Sequence, residues 1–484
     1  MDEYEAVAPS RLRKAKQDAR SANNQNDRAA VPLRLQARSL EQNSDIAKGA
    51  LDVLVANVVG TGIAPEPQIE LASGEPAEDI NRELLRLWDD WIYSPEVTRQ
   101  FDYYSLQRTL VRSWLRDGEV FAQRLIGSVP GLDHNTLVPF SLEALEADLV
   151  PFDLLDKQRG ITQGIETDAW GRPRAYWVYK QHPGDAGGSG AYSGVLSETK
   201  RVSADRVMHL KLTERLHQLR GISVFHSVLN RLDDIKEIDE SERVAARVAA
   251  SMAAFIKKGT PDFYSPPVDQ NGQPTAVRSM EMAPGMIFDD LQPGEEIGTI
   301  DTNRPNNALI PFRDSQLRSA AAGLGAGYSS ISKNYVGSYS SQRQELVETF
   351  VHYRMLTHTF VFRVCQPVWD SFIDAAVASG AIELTGVNPA TLYNCSHSLP
   401  PMPWIDPEKE VNAAILAKDH GFTSRSRIIR QRGDNPDQIN REIQRDQSEK
   451  ERMGLDFAAE RPPLAAPAPA EEPDGEETPP PDAA

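Results

Sequence analysis

Cysteine is scarce in this 484-residue sequence, which contains only Cys365 and Cys395. Two cysteines cannot form a disulfide framework, and this usage suits assembly in a reducing cytoplasm. Long apolar segments are missing as well: no window approaches about 18 uninterrupted apolar residues, so the sequence predicts no membrane-spanning helix. The first residues, Met1-Asp-Glu-Tyr-Glu5, are acidic and lack an apolar core, so no signal peptide is expected.

A basic net charge is also missing. The sequence has 52 Lys and Arg against 70 Asp and Glu, a formal net charge of −18. A protein that binds nucleic acid tightly is normally basic, because neutralised phosphates supply most of the sequence-independent affinity. If this chain handles DNA, we expect it to let DNA pass rather than to hold it. At this length it can form two or three domains with sizeable cores.

Motifs for catalysis or metal binding are lacking too. Gly323-Leu-Gly-Ala-Gly327 with Lys333 is similar to a phosphate-binding loop, but it follows a predicted helix and lacks the Gly-Lys-Ser/Thr ending. Cys395-Ser-His397 is an isolated pair, and the carboxylates of Asp117-Gly-Glu119 and Glu146-Ala-Asp148 have no histidine or third carboxylate at a supporting spacing. We therefore expect a protein that is not an enzyme and that uses no metal or cofactor.

The N-terminal half is predicted to combine helices and strands. Residues 11–38 hold eight Lys or Arg against two Asp, which predicts a basic arm that is either solvated and flexible or in contact with DNA phosphates or a protein partner. Tryptophans at helical spacing in 81–93 and 105–117 are predicted core residues. Alternating residues around a glycine-containing turn predict a hairpin over 164–179.

Long helices dominate the prediction for the second half. Residues 223–258 begin with an N-cap serine and end with lysines, glycine and proline, which predicts a helix of about 35 residues. A proline- and glycine-rich segment with short strands follows, including 295–300. After a helix ended by glycines and a polar loop over 329–341, apolar spacing from Gln342 predicts another helix of about 35 residues if Pro367 only kinks it.

One stretch of this second half resembles a known family. Ala320-Ala-Ala-Gly-Leu-Gly-Ala-Gly-Tyr-Ser-Ser-Ile-Ser-Lys-Asn-Tyr335, followed by Ser340-Ser-Gln-Arg343, is similar to the signature of the portal proteins of tailed bacteriophages, lambda family. Asn57-Val-Val-Gly-Thr-Gly-Ile63 and the Asp-Gly-Glu and Glu-Ala-Asp groupings also match the family. The resemblance covers about 38–456 in collinear order.

The resemblance implies an α+β, mostly α portal fold, with an α/β wing, a two-helix stem, a small β-containing clip, a long wing helix and a C-terminal helical crown. The implied parts are a basic flexible arm (1–38), the wing (39–222), a stem helix (223–258), the clip (259–306), a second stem helix (307–328), a tunnel loop (329–341), the long wing helix and connection (342–406), the crown (407–456) and a disordered acidic proline-rich tail (457–484).

The implied function is a homo-oligomeric ring, a dodecamer by resemblance, located in the virion at a single capsid vertex after assembly in the host bacterial cytoplasm. Double-stranded DNA would pass through it during packaging and ejection. Its protein partners would be terminase, which supplies the energy, the major capsid or scaffold protein, and head-completion or tail connector proteins. A head-tail adaptor ring and a capsid-associated nuclease or protease are the alternatives.

The resemblance also implies two sets of site residues. In the tunnel loop and just after it, the residues expected to contact DNA are Ser332, Lys333, Asn334, Tyr335, Tyr339 and Arg343. At the clip tip, the residues expected to dock terminase or connector proteins are Val268, Asp269, Gln270, Asn271 and Gly272.

Overall fold

A computed structural model describes residues 18–185, 198–250, 254–258, 295–299, 309–403 and 406–453. The described chain has a mixed α+β fold in which helices predominate. The helices are α1 (Ala22–Asn43), α2 (Asp45–Val58), α3 (Glu78–Trp91), α4 (Tyr103–Asp117), α5 (Leu229–Ala250), α6 (Leu309–Leu324), α7 (Tyr328–Ser332), α8 (Tyr339–Phe360), α9 (Gln366–Ala378), α10 (Pro407–Asp419), α11 (Arg425–Gln431) and α12 (Pro436–Met453). None of these helices is both long and apolar enough to cross a membrane.

The strands are short and antiparallel. They are β1 (Pro65–Pro67), β2 (Glu119–Ile126), β3 (Phe140–Leu145), β4 (Ile161–Thr162), β5 (Ile165–Thr167), β6 (Pro173–Tyr179), β7 (Thr199–Ser203), β8 (Val207–Lys211), β9 (Ala254–Lys258), β10 (Glu295–Thr299) and β11 (Cys395–His397). One sheet has the order β3-β2-β8 and another β4-β5-β6-β7, while β1 pairs with β11 and β9 with β10. The predicted hairpin is confirmed, since β5 pairs with β6 and Ile165 lies opposite Tyr176.

Tryptophans form the centre of the main core. Trp88 and Trp91 of α3 are buried against Trp369 of α9, and Trp114 of α4 is buried in the same cluster. The Trp91 ring stacks on Phe140 with centroids 5.2 Å apart, and its Nε1 donates to the Phe140 carbonyl at 2.8 Å. The prediction that the tryptophans of α3 and α4 are core residues is confirmed. Their large apolar area ties the helices to the β3-β2-β8 sheet.

Residues 22–38 are part of a packed helix, so the prediction that this stretch belongs to a flexible basic arm is wrong. Ser21 caps α1 by accepting from the Asn24 backbone N–H, and Ala30, Ala37 and Leu40 are buried. Arg34, which the arm prediction counted as a solvated charge, is only 3% exposed. The prediction failed because it counted Arg34 and Arg38 as solvated charges, whereas both bind carboxylates inside the protein.

A buried ion pair joins the start of β2 to the segment after β8. The Arg220 side chain is fully buried, and its Nε donates to Glu119 Oε1 at 2.7 Å. Its remaining N–H groups donate to the backbone carbonyls of Val150, Gln163 and Ala147. Burial alone would raise the pKa of Glu119, but Arg220 and His209 hold that pKa well below its usual range. Both charges of this pair are therefore matched by groups of the protein itself.

The neighbouring carboxylates bind the arginines of α1. Asp117 accepts from Arg38 at 3.0 and 2.7 Å and from Arg116 at 2.7 and 2.9 Å. Asp148 lies 3.1 Å from Arg34 Nη2 and 2.6 Å from Arg38 Nη2. The Asp-Gly-Glu and Glu-Ala-Asp groupings are thus the acidic half of a buried network that attaches α1 to the sheets.

Two glycines let the chain segments of this network approach each other. Gly118 has φ +89°, and a Cβ there would lie 2.3 Å from the Ile222 carbonyl carbon. A Cβ on Gly221 would lie 2.0 Å from the Gly118 oxygen. Real Cβ atoms do not approach backbone so closely, so both positions require glycine. The contact sets the distance between Glu119 and Arg220.

The predicted stem helix ends earlier than expected. A 3₁₀ turn, Val224–Ser227, precedes α5, and Ser223 Oγ accepts from the Phe225 N–H as the predicted cap. The helix stops at Ala250, and 254–258, predicted as its last turns, form β9 instead. The register of β9 with β10 pairs Lys258 with Glu295. Pairing with a segment about 40 positions away outweighs local helix signals, whereas the strand predicted over 295–300 is confirmed.

The long helix predicted after the polar loop is confirmed, with a defined break at the proline. Helices α8 and α9 are joined by a π turn, Val361–Cys365, in which the Gln366 N–H donates to the Val361 carbonyl. Pro367 has no N–H and its ring excludes a regular α-helical bond to the preceding turn, so the wider turn accommodates it. The helical rod therefore continues from Tyr339 to Ala378.

Contacts divide the chain into units 1–412 and 413–484. Within the second unit, Ser424 caps α11 by accepting from the Arg427 N–H, and Arg425 Nη1 donates to Asn440 Oδ1 of α12 at 2.7 Å. The helices predicted over 407–419 and 437–453 are confirmed as α10 and α12. The clip tip, 268–272, and the acidic tail, 457–484, lie outside the described residues.

Replacing Arg220 should destabilise the protein more than breaking an exposed ion pair does. Arg220→Met leaves Glu119 buried without its main cation, and we expect a loss of about 3–5 kcal/mol in the free energy of unfolding. Arg201→Met is the matched control, because Arg201 pairs with Glu166 at the surface and should cost about 1 kcal/mol or less. Urea unfolding of the full chain measures both, and equal losses would contradict a structural role for the buried pair.

Stability should fall as the pH drops below neutrality. Burial lowers the pKa of His209 to about 4, so the neutral ring donates from Nε2 to Glu119 and accepts at Nδ1 from Tyr176. Because the unfolded histidine binds a proton at higher pH, this stability is present above about pH 6.5 and is lost towards pH 4. His209→Gln, which keeps an N–H donor, should reduce the loss between about pH 6.5 and 5 by about 1–2 kcal/mol. The exposed His358→Gln is the control, and an identical pH dependence in both variants would contradict the assignment.

Candidate functional site

The glycines after α6 end that helix, as the sequence predicts. Gly325 has φ +65°, the Ala326 N–H donates to the Ala321 carbonyl at 3.1 Å, and the Gly325 N–H donates to the Ala322 carbonyl at 3.4 Å. These paired bonds are the glycine-dependent C-cap of an α-helix. A Cβ on Gly325 would also lie 2.6 Å from the His352 ring of α8. The glycine run thus turns the chain towards α8.

A single helical turn, α7, occupies the first part of the predicted tunnel loop. Glu345 of α8 holds it, since the carboxylate accepts from the Ser329 N–H at 3.0 Å and from the Ser329 hydroxyl. Tyr353 OH accepts from the Gly327 N–H at 3.4 Å. The segment 329–341 is therefore not one continuous loop: the non-helical part is 333–338, and α8 begins at Tyr339.

Lys333 occupies a left-handed backbone conformation, with φ +56°. Such a conformation is uncommon for a residue with a Cβ and marks a position with a structural or functional constraint. Its two neighbours bond to the local backbone: Ser332 Oγ donates to the Tyr328 carbonyl at 2.8 Å and Asn334 Oδ1 accepts from the Val336 N–H at 3.1 Å. The turn thus directs Lys333 into solvent.

The second half of the site lies on the first turn of α8. Ser338 caps it by accepting from the Ser341 N–H. Arg343 Nη1 lies 3.2 Å from Tyr339 OH and 3.4 Å from Glu410 Oε1 of α10. The Lys409 ammonium lies 5.9 Å from the centre of the Tyr339 ring. Arg343 is therefore partly neutralised, and Tyr339 lies between two cations.

The side chains of the six predicted tunnel-loop residues differ in their exposure to solvent. Lys333, Tyr335 and Tyr339 are exposed, and Tyr335 is 59% exposed. The side chains of Ser332 and Asn334 are half-buried and bonded to the loop's own backbone. Sequence reasoning missed Val336, which is 93% exposed, and it missed Lys409, which only the folded chain brings to the site.

One cluster that the sequence argument dismissed does gain a histidine. The side chains of Glu146, Asp148 and His182 each place one possible ligand atom within 4.8 Å of the others. No histidine was expected near these carboxylates, because His182 lies on a different segment. The Arg38 guanidinium already lies among them, 2.6 Å from Asp148 and 3.6 Å from Glu146. A cation in that position would compete with an arginine, so the cluster belongs to the buried charge network.

The helix end, the α7 turn and the exposed loop lie within a stretch of the chain that matches a recognised family. The chain matches the family model described as "Phage portal protein, lambda family" over residues 8–356. This match covers more than half of the sequence, and the chain belongs to the lambda family of phage portal proteins. The family and the portal function predicted from the sequence are confirmed.

Individual relatives agree with this family. The chain is 24% identical over 442 residues to the probable portal protein of Halomonas phage phiHAP-1, covering 87% of this chain and 81% of that protein. It is also 24% identical over 265 residues to portal protein B of Escherichia phage lambda, covering 49% of each. A portal protein of Escherichia phage N15 is similar to the same extent, at 23% identity over 262 residues.

Solved structures give a looser similarity. The chain is similar in structure to a chain from the neck of a native gene transfer agent particle computed with C12 symmetry. The TM-score is 0.46 and the identity 14%, and the alignment covers 84% of this chain and 94% of that one. The neck of the empty particle, computed with C6 symmetry, gives a TM-score of 0.47. A TM-score in this range does not establish a common fold.

Removing the Glu345 carboxylate should loosen α7 while leaving the rest of the chain folded. In Glu345→Ala the Ser329 N–H and hydroxyl lose their acceptor, and we expect amide exchange across 328–332 to accelerate about tenfold or more, since each of the two lost bonds is worth about 1 kcal/mol. Glu348→Ala, an exposed change on the same helix, is the control. Hydrogen exchange with mass spectrometry measures both, and unchanged protection in Glu345→Ala would show that α7 does not depend on this anchor.

Proposed function

We propose that this protein is the subunit of a closed ring, a dodecamer in keeping with its family, that occupies a single capsid vertex. Double-stranded DNA passes through the ring during packaging and ejection. The match to the lambda family of portal proteins over 8–356 carries this proposal. The family is structural, so the chain performs no enzymatic step in this proposal, and a separate terminase ATPase supplies the energy.

Exposed apolar residues support a ring of identical subunits. On α8, Val347 is 46% exposed, and Val351 and Met355 are both 58% exposed. These residues are four apart and therefore form a stripe along one helix face. Soluble monomers rarely expose contiguous apolar surface, so such a stripe favours contact with another subunit. We refer to Val347, Val351 and Met355 as the α8 stripe.

The charge of the protein suits passage of DNA rather than capture. At a net charge of −18 per chain, a ring repels the phosphate backbone over most of its surface. The exposed loop offers one isolated cation, Lys333, with Tyr335 and Tyr339 nearby. A few cations and aromatic rings give weak contacts without sequence preference, because phosphate contacts carry no base information. The loop therefore contacts DNA without stopping it.

The remaining partners follow from the family and from the order of the segments. The clip, 259–306, is inserted between α5 and α6 and is the proposed docking site for terminase during packaging and for head-completion or tail connector proteins afterwards. The wing and crown contact the major capsid or scaffold protein. The protein is assembled in the bacterial cytoplasm and remains in the virion.

The ring is the first consequence to test. Purified protein at micromolar concentration should form closed oligomers with a central hole, visible by negative-stain microscopy and sized by light scattering. Val351→Asp combined with Met355→Asp places charge in the α8 stripe and should shift the population towards smaller species. Leu137→Asp changes an equally exposed apolar residue elsewhere and serves as the control. A monodisperse wild-type monomer would contradict the proposed function.

Loop variants test the contact with DNA separately from assembly. Lys333→Glu, or deletion of 336–338, should leave ring formation and capsid incorporation near normal and reduce nuclease-protected DNA per particle. Assembly should be unaffected because the variants alter exposed groups that bury little apolar area. Lys157→Glu makes the same charge change at an exposed position in the turn before β4 and is the control. Normal DNA content in both loop variants would show that the loop does not contact DNA in the channel.

A further inference from the structure

A concave, positively charged surface lies away from the proposed channel loop. A cleft of about 670 Å³ opens between β6, β8 and the π turn that joins α8 to α9. We call it the basic cleft and define it by Arg124, Arg172, Lys211, Phe362, Arg363 and Pro367. The proposed function places contact with the capsid or scaffold protein on the wing in general and assigns no particular contact to these residues.

The charge of the basic cleft is opposite to that of the protein. Its lining includes Arg124, Arg172, Lys211 and Arg363 but no aspartate or glutamate, although the whole chain carries −18. The lining histidine, His209, does not add charge near neutral pH, because burial lowers its pKa to about 4. A concentration of cations at one surface of an acidic protein favours an anionic ligand.

Two of these cations can bind a ligand carboxylate. Arg172 and Arg363 are exposed, and neither forms an ion pair with another residue in the described part of the chain. The guanidinium carbon of Arg363 lies 5.5 Å from the centre of the Phe362 ring, so these two side chains form one surface. Lys211 differs, since its Nζ already donates to the backbone carbonyls of Gln218 and Leu219 at 2.6 and 2.9 Å.

Arg124 also has bonding partners within the protein. Its Nη1 donates to Ser371 Oγ at 3.0 Å and its Nη2 donates to the Asp205 carbonyl. The carboxylates of Asp205, Asp370 and Asp374 lie near enough to oppose its charge. Recognition of a ligand carboxylate therefore falls to Arg172 and Arg363, at the two sides of the cleft.

An apolar side chain stands beside these arginines. Phe362 is 70% exposed although it follows the fully buried Phe360 by only two positions. The π turn required by Pro367 places Phe362 and Arg363 together at the cleft, and turns of this kind occur frequently at functional sites. Most of the remaining lining is apolar, including Pro173, Val207 and Met208.

We propose that the basic cleft binds an acidic peptide segment of a protein partner. Ligand carboxylates pair with Arg172 and Arg363, and an apolar ligand side chain packs on Phe362. A peptide fits better than a DNA duplex, because a concave pocket with an apolar lining and an exposed phenyl ring offers little to a phosphate backbone. Exposed arginines around an apolar anchor are also the composition enriched at protein interfaces.

The test uses the full-length protein and a fluorescein-labelled pentapeptide with a central leucine flanked by glutamates. Fluorescence anisotropy should detect saturable binding that weakens with added salt. Arg172→Gln combined with Arg363→Gln should raise the Kd about tenfold, since each exposed ion pair is worth up to about 1 kcal/mol. Phe362→Ala should raise it about threefold or more. A peptide with glutamines in place of the glutamates should bind at least tenfold more weakly.

Arg174→Gln is the matched control, because it removes an exposed positive charge from β6 outside the cleft and should change Kd less than twofold. Circular dichroism and particle size, compared across variants, exclude a folding or assembly defect. The proposal is overturned if the wild type does not bind the peptide, or if the double variant binds it as well as Arg174→Gln does. It is also overturned if a short DNA duplex binds the cleft more tightly than the peptide and displaces it. None of these outcomes depends on whether the ring passes DNA.

Discussion

The buried pairing of Glu119 with Arg220 is the constraint on which the arrangement of α1 and the two larger β sheets depends. Glu119 begins β2, which lies between β3 and β8, while Arg220 reaches the carbonyls of three separate segments. Because both charges are removed from water, each must find its partner, and the glycines at 118 and 221 permit the close backbone approach that accompanies their pairing. The same network extends through Asp117 and Asp148 to the arginines of α1. The first helix is therefore attached to the sheets by buried ion pairs as well as by its apolar side chains.

This arrangement also accounts for the position of the proposed channel loop. The network and the tryptophan core fix α4 and α9, and α8 continues from α9 across the π turn. The loop 333–338 leads directly into α8. The α7 turn before the loop is attached to α8 through Glu345 and Tyr353. The exposed side chains of the loop are therefore presented from a rigid base, although the loop itself buries little. A site built in this way can expose Lys333 and Tyr335 without weakening the fold.

Periodicity and capping signals predicted much of the described fold. The tryptophan spacing of α3 and α4, the hairpin of β5 and β6, the glycine end of α6 and the long rod after Gln342 could all be read locally. The failures have one physical cause, which is pairing between distant segments. Arg34 and Arg38 looked solvated because their carboxylate partners lie about 80–110 positions away, and 254–258 looked helical because β10 is remote. Lys409 could not be assigned to the loop for the same reason.

The rod formed by α8, the π turn and α9 has a mechanical consequence. It comprises 22, 5 and 13 residues in succession and spans about 60 Å at 1.5 Å per residue. One end carries the first turn after the loop, and the rod is held in the main core from Tyr353 onwards, through Phe360, Val364, Trp369 and Phe372. A beam that is clamped along part of its length bends in its free part, which here runs from Tyr339 to the first buried residue, Tyr353. Force applied at the loop would thus bend the first turns of α8 before it reaches the clamped core.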